Sequence, residues 1–108
     1  MNNKQVIEWA PFRLKDGVTD AELLAASDAM QAAFLQGQKG FIKRELVKGA
    51  DGQWADVVYW VSHADAEAAV PNAMENPVCL KYFEFLQGVD HDHPEVGVLH
   101  LEVIKIYE

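Results

Sequence analysis

The stretch Phe41-Ile42-Lys43-Arg44-Glu45-Leu46-Val47-Lys48-Gly49-Ala50-Asp51-Gly52-Gln53-Trp54-Ala55-Asp56-Val57-Val58-Tyr59-Trp60-Val61 predicts a β-hairpin. Its arms, Phe41 to Lys48 and Gln53 to Val61, carry the β-branched and aromatic residues that fit a pleated surface. Between them Gly49-Ala50-Asp51-Gly52 supplies the positive-φ residues that a short turn requires. Side chains alternate across a strand, so Val58 and Trp60 fall on one side and Ala55, Val57, Tyr59 and Val61 on the other. Both faces of that arm are apolar, and each needs a cover.

Upstream, Val6 to Leu14 reads as a strand with Pro11 removing one ladder donor. Lys15-Asp16-Gly17-Val18 turns the chain, and Thr19 followed by Glu22 is a capping-box pattern that opens a helix. Leu23, Ala26, Met30, Ala33 and Phe34 lie on one stripe of that helix, which Gly37 or Gly40 can end. Downstream, Ser62 and Asp65 repeat the capping logic for a short helix through Ala66, Ala69 and Val70, which Pro71 is expected to cut or kink. Asn76-Pro77 opens a further helix through Leu80, Phe83 and Leu86 to a stop at Gly88. Asp90-His91-Asp92-His93-Pro94 is a polar loop, and Val98 to Tyr107 alternates as the last strand.

The order is βαββαβ, the split-βαβ arrangement of ferredoxin-like α+β folds. It implies one four-stranded antiparallel sheet with the helices on a single face and the first and third strands in the middle. The opposite face is then bare but apolar, with Leu99, Leu101 and Val103 adding to Ala55, Val57, Tyr59 and Val61. A patch of that kind marks association, and the expected assembly is a closed homodimer with its sheets face to face.

The 108 residues suit one domain of the commonest size, expected to span 1–108. A composition with 50% hydrophobic and 24% charged residues is that of an ordinary globular chain. Seventeen acidic against nine basic side chains give a formal charge of −8, which repels phosphate backbones and anionic bilayers, so no nucleic-acid or membrane partner is expected. Met1 to Gln5 enters a strand without an apolar signal segment, and no stretch is long enough to cross a bilayer, so a cytoplasmic location is expected. Cys79 is the only cysteine, which excludes an internal disulfide and a thiolate cluster; its apolar helix marks it as a small buried side chain.

Two segments resemble a known group. Phe12-Arg13-Leu14-Lys15-Asp16-Gly17 enters the first helix, and Gly52 to Trp60 passes through Ser62-His63-Ala64-Asp65-Ala66-Glu67-Ala68-Ala69 into an alanine-rich one. In this the chain resembles the dimeric α/β-barrel proteins, which include antibiotic-biosynthesis monooxygenases, haem-degrading monooxygenases and stress-responsive relatives. The likeness spans nearly the whole chain and speaks to fold more than to reaction. It implies a ligand pocket between helices and sheet, where some relatives oxidise polycyclic phenols with O₂ and no cofactor and others hold haem. The haem-degrading branch pairs an Asn on the first strand with a Trp closing the third and an iron-ligating His on a late helix. Here Trp60 matches the Trp, but the Asn position falls near Ala10 and the late helix offers Tyr82 and Phe83 without a His, which speaks against haem.

Individual residues then become candidates. Trp60 would wall the pocket and stack on a flat ligand, with Asp56, Phe83 and Met30 beside it; the plain alternative is that Trp60 fills core. His100 interrupts an apolar alternation near the place where Glu8 lies across the sheet. As a pair, Glu8 would orient the imidazole and His100 would take a proton from a phenol or enol. The plain alternative is a paired polar group tolerated at the sheet face. Glu102 shares the face of His100, Tyr59 points toward the proposed interface, Trp9 suits the interface and Trp54 a surface at the hairpin end. His91 and His93 carry metal-ligand atoms but lack the spacing of a metal site, and His63 reads as a surface neighbour of a helix cap. The expected protein is a small-molecule-binding homodimer, a cofactor-independent monooxygenase acting on an aromatic or polycyclic metabolite, or else a non-catalytic ligand-binding or stress-related dimer of the same fold. No cofactor and no metal are expected.

Overall fold

The computed structural model describes residues 5–88 and 96–108. In chain order it contains β1 (Val6–Leu14), α1 (Asp20–Ala33), a 3₁₀ turn (Leu35–Gly37), β2 (Phe41–Lys48), β3 (Trp54–Trp60), α2 (His63–Met74), α3 (Pro77–Glu84), β4 (Leu86–Gln87) and β5 (Leu99–Glu102). The strands form one antiparallel sheet in which β1 pairs β3, β4 and β5, and β3 also pairs β2. β1 and β3 are therefore central, and the fold is α+β and ferredoxin-like, as the βαββαβ order implies.

Local chemistry sets the helix starts. In α1 the Glu22 amide donates to Thr19 Oγ1 at 3.1 Å while the Thr19 amide donates to Glu22 Oε1 at 3.0 Å, a reciprocal capping box. The Asp65 amide donates to Ser62 Oγ before α2, and Asn76 Oδ1 accepts from the Val78 and Cys79 amides before α3. At the hairpin tip Gly52 has φ +86°, which glycine reaches without a Cβ clash.

Register decides which side chains meet. Glu8 pairs Val58 on one side and His100 on the other, while Ala10 pairs Asp56 and Val6 pairs Trp60. The helix-facing set on β1 is thus Val6, Glu8, Ala10 and Phe12, and on β3 it is Trp54, Asp56, Val58 and Trp60. Of these, Val6, Phe12, Trp54, Val58 and Trp60 pack with Leu23, Met30, Phe34, Ala66, Cys79 and Tyr82 in one core cluster of buried residues.

Several expectations change. The last strand ends at Glu102 instead of Tyr107, because its partner β1 begins only at Val6: the Val103 amide still donates to Gln5 O at 2.9 Å, and beyond it the chain has no ladder partner among the described residues. Leu86–Gln87 forms a short strand against Arg13 and Leu14 where a continuous helix to Gly88 was expected; α3 ends at Glu84. Pro71 sits inside α2 without ending it, since its missing amide leaves only one carbonyl of an exposed helix surface unpaired by the backbone. On α1 the buried stripe takes Ser27 while Ala33 is exposed, and the helix ends before Gly37 in a 3₁₀ turn. Trp54 is 6% exposed, a core residue stacked on Phe12 with ring centroids 6.3 Å apart, not a surface one. The loop holding Asp90, His91, Asp92 and His93 lies outside the described residues. Among the described residues no helix is long and apolar enough to cross a membrane.

Candidate functional site

A cavity of about 160 Å³ lies between the sheet and the helices. Its lining includes Glu8, Met30, Asp56, Trp60, Phe83 and His100, so the fold brings all six candidate residues from five elements to one hollow. Most of the wall is apolar, from Phe12, Phe34, Val58, Ala66, Ala69 and Leu86. Two polar groups interrupt it.

The first is built on β1, β3 and β5. Trp60 is 1% exposed and donates Nε1–H to Glu8 Oε1 at 3.2 Å, so the indole both walls the cavity and fixes the carboxylate. His100 Nε2 lies 3.6 Å from the same oxygen and has no hydrogen-bond partner among the described residues. The facing Glu8 carboxylate raises the His100 pKa above its ordinary 6.5, outweighing the burial that lowers it. Glu102, two residues along β5, is exposed.

The second polar group is a closed triad. Arg44 Nε donates to Asp56 Oδ1 at 2.7 Å, Tyr82 Oη donates to Asp56 Oδ2 at 2.7 Å, and Arg44 Nη2 donates to Tyr82 Oη at 3.2 Å. Arg44 Nη1 also reaches the Ser27 carbonyl of α1 at 3.5 Å. The Arg44 and Asp56 side chains are only 6% and 11% exposed. Burial opposes the Arg44 charge, yet Asp56 and Tyr82 outweigh it and hold the guanidinium above its usual value. Burial pushes the Asp56 carboxyl up against the pull of Arg44 and Tyr82, and burial together with the Asp56 charge pushes the Tyr82 phenol far up. Tyr82 is accordingly a donor at neutral pH and not a base. Both oxygens of Asp56 are engaged by the protein, so this residue ties β2, β3 and α3 together at the cavity wall.

Arg44 and Tyr82 escaped the sequence reading. The signal for Arg44 was present: Arg44 pairs Val58 and Leu46 pairs Asp56, so opposite charges occupy inward positions one step apart on adjacent strands. Tyr82 shares the buried face of α3 with Cys79, and nothing in an apolar stripe distinguishes a ring that carries a buried hydroxyl. Cys79 is fully buried, and desolvation pushes its thiol to about 11, which keeps it protonated and inert.

No family model matches the chain, and no curated protein matches it. Solved structures do, all at low identity, and the likeness they show is one of fold. SnoaB, a cofactor-independent oxygenase from Streptomyces nogalater, is 17% identical with a TM-score of 0.57, the match covering 97% of this chain and 95% of that one. A candidate antibiotic biosynthesis monooxygenase from Bordetella bronchiseptica is 11% identical with a TM-score of 0.67, over 97% and 100% of the two chains. A haem-degrading protein from Mycobacterium tuberculosis is 15% identical with a TM-score of 0.58, over 99% of each.

Among the described residues, α3 offers no ready ligand for haem iron. The hollow of about 160 Å³ is comparable in size to an apolar one that holds benzene. On α3, Cys79 stays protonated and the Tyr82 hydroxyl is committed to Asp56.

Proposed function

We propose that this protein binds a one-ring aromatic metabolite and acts on it as a cofactor-independent monooxygenase, working as a homodimer. The observation that supports this best is the placing of an enclosed carboxylate–imidazole pair, Glu8 and His100, in the wall of an otherwise apolar cavity. Trp60 provides the flat surface for a ring, with Met30 and Phe83 completing the slot.

In this reading the substrate is a phenol. His100, oriented by Glu8, takes the hydroxyl proton, and the phenolate it leaves is electron-rich enough at ring carbon to reduce O₂ directly. Oxidation of a phenol to a quinone then balances with one O₂ consumed and one water released, the substrate supplying all the electrons. The dry wall keeps bulk water from competing with oxygen for the activated ring.

The base must be neutral to act. Because Glu8 raises the His100 pKa, the acid limb of kcat/KM is expected above pH 6.5, and Glu8→Gln should move it downward. Oxygen uptake with a panel of monocyclic phenols checks this, and His100→Ala should lower turnover by about a hundredfold while leaving thermal-shift binding intact. Full turnover in His100→Ala would remove the base. Binding without any oxygen uptake in the wild type would instead assign a non-catalytic ligand-binding role.

The dimer rests on the sheet face away from the helices. There Trp9 is 38% exposed, Leu99 53% and Leu101 48%, with Val47 and Val61 beside them. A second copy is the cover with the same shape and apolarity. Sedimentation equilibrium at micromolar concentration should give twice the chain mass, and a single-subunit mass would refute the assembly.

A further inference from the structure

We propose that His63 relays protons between His100 and bulk solvent, with Glu67 holding its imidazole in place. The inference rests on the assignment of His100 as base, since a base that accepts a proton in each turnover must also release it.

His100 itself is poorly placed to do so. Its side chain is 16% exposed, and Nε2 faces Glu8, a carboxylate that also belongs to the cavity wall and already accepts from Trp60. The outward contact of His100 is His63. The two rings meet edge to face, with centroids 5.4 Å apart and planes at 87°. His63 and Glu67 are 57% and 62% exposed at the side chain, and His63 Nδ1 lies 3.2 Å from Glu67 Oε1. The order from cavity to solvent is therefore carboxylate, imidazole, imidazole, carboxylate.

Each part of that series is held. His63 is the first residue of α2, directly after the Ser62 cap, so its backbone is fixed where the helix meets the sheet. Glu67 follows at the i,i+4 spacing that stacks side chains on one helix face. An imidazole accepts a proton at one nitrogen while releasing another from the second, and two such rings here stand in edge-to-face contact. Among the described residues, the titratable groups around His100 are Glu8 from β1, His63 and Glu67 from α2, and Glu102 along β5. Glu67 adds to the rise in the His100 pKa that Glu8 dominates, so the surface carboxylate is felt at the cavity.

The test uses the full chain without substrate. Exchange of the His100 ring proton with water, read by ¹⁵N NMR, is expected to be about tenfold slower in His63→Gln, less than a whole general acid–base contribution because His100 keeps some solvent access. Free imidazole added to the variant should restore the rate, and Glu67→Gln should slow it to a lesser degree. An unchanged rate in His63→Gln overturns the relay, and so does a slowed rate that imidazole fails to restore, which would mean that His63 only packs on His100. Turnover independent of His100 would remove the base assignment instead, while the substrate-free exchange rates continue to report on the conduit.

Discussion

Asp56→Ala is expected to cost about 3–5 kcal/mol of folding stability, read as a fall in the urea midpoint with an unchanged slope. The substitution strips the Arg44 guanidinium of its partner at 2.7 Å while leaving the cation inside, where its side chain is 6% exposed. It also removes the acceptor of the Tyr82 hydroxyl. The loss measures an abandoned charge and an abandoned donor, not the net worth of the ion pair. Replacing the whole triad with Arg44→Met, Asp56→Leu and Tyr82→Phe should therefore recover most of it, because no buried polar group is then left unpaired. A single-variant cost below about 1 kcal/mol would show that water from the cavity reaches Arg44, and the triad would lose its place as the clamp joining β2, β3 and α3.

Trp60→Ala is the second large effect, about 3–5 kcal/mol in the same measurement. The indole is 1% exposed, touches Phe41 edge to face with centroids 6.0 Å apart, and carries the N–H that pins Glu8. Trp60→Phe separates these parts: it keeps most of the buried ring and removes only the donor, at about 1 kcal/mol. If Glu8 is held chiefly by Trp60, Trp60→Phe should also shift the titration of His100, which depends on where that carboxylate sits. An unshifted titration would show that the sheet register alone positions Glu8. The alanine variant should also admit ligands larger than one ring, which a thermal-shift series of one-ring and two-ring phenols would register.

The two effects show how differently the pieces of this molecule are written in its sequence. Turns, caps and strand faces are stated within a few neighbouring residues: Gly52 needs only its own positive φ, Thr19 and Glu22 need only each other, and the alternation through Val58 and Trp60 needs only a pleat. Such features survive any packing, so the ferredoxin-like order and the shared face of Val58 and Trp60 were legible. Where local signals misled, a tertiary neighbour had intervened. Trp54 looked like a hairpin-end surface residue until Phe12 covered it, and the alternation through Ile104 and Ile106 looked like a strand although its partner β1 begins only at Val6.

The sequence by itself determined the order of elements, the helix starts, the hairpin and an apolar sheet face opposite the helices. It offered Glu8 and His100 as a possible pair, and the register that sets them opposite each other came from the structure. Only the tertiary structure decided that Arg44, Asp56 and Tyr82 close on one another across 12 and 26 residues of chain, that His63 lies edge-on to His100, and that the cavity measures about 160 Å³. The physical reason is that these contacts depend on the angle at which α2 and α3 settle on the sheet. That angle comes from the summed packing of many side chains, so no short run of residues encodes it.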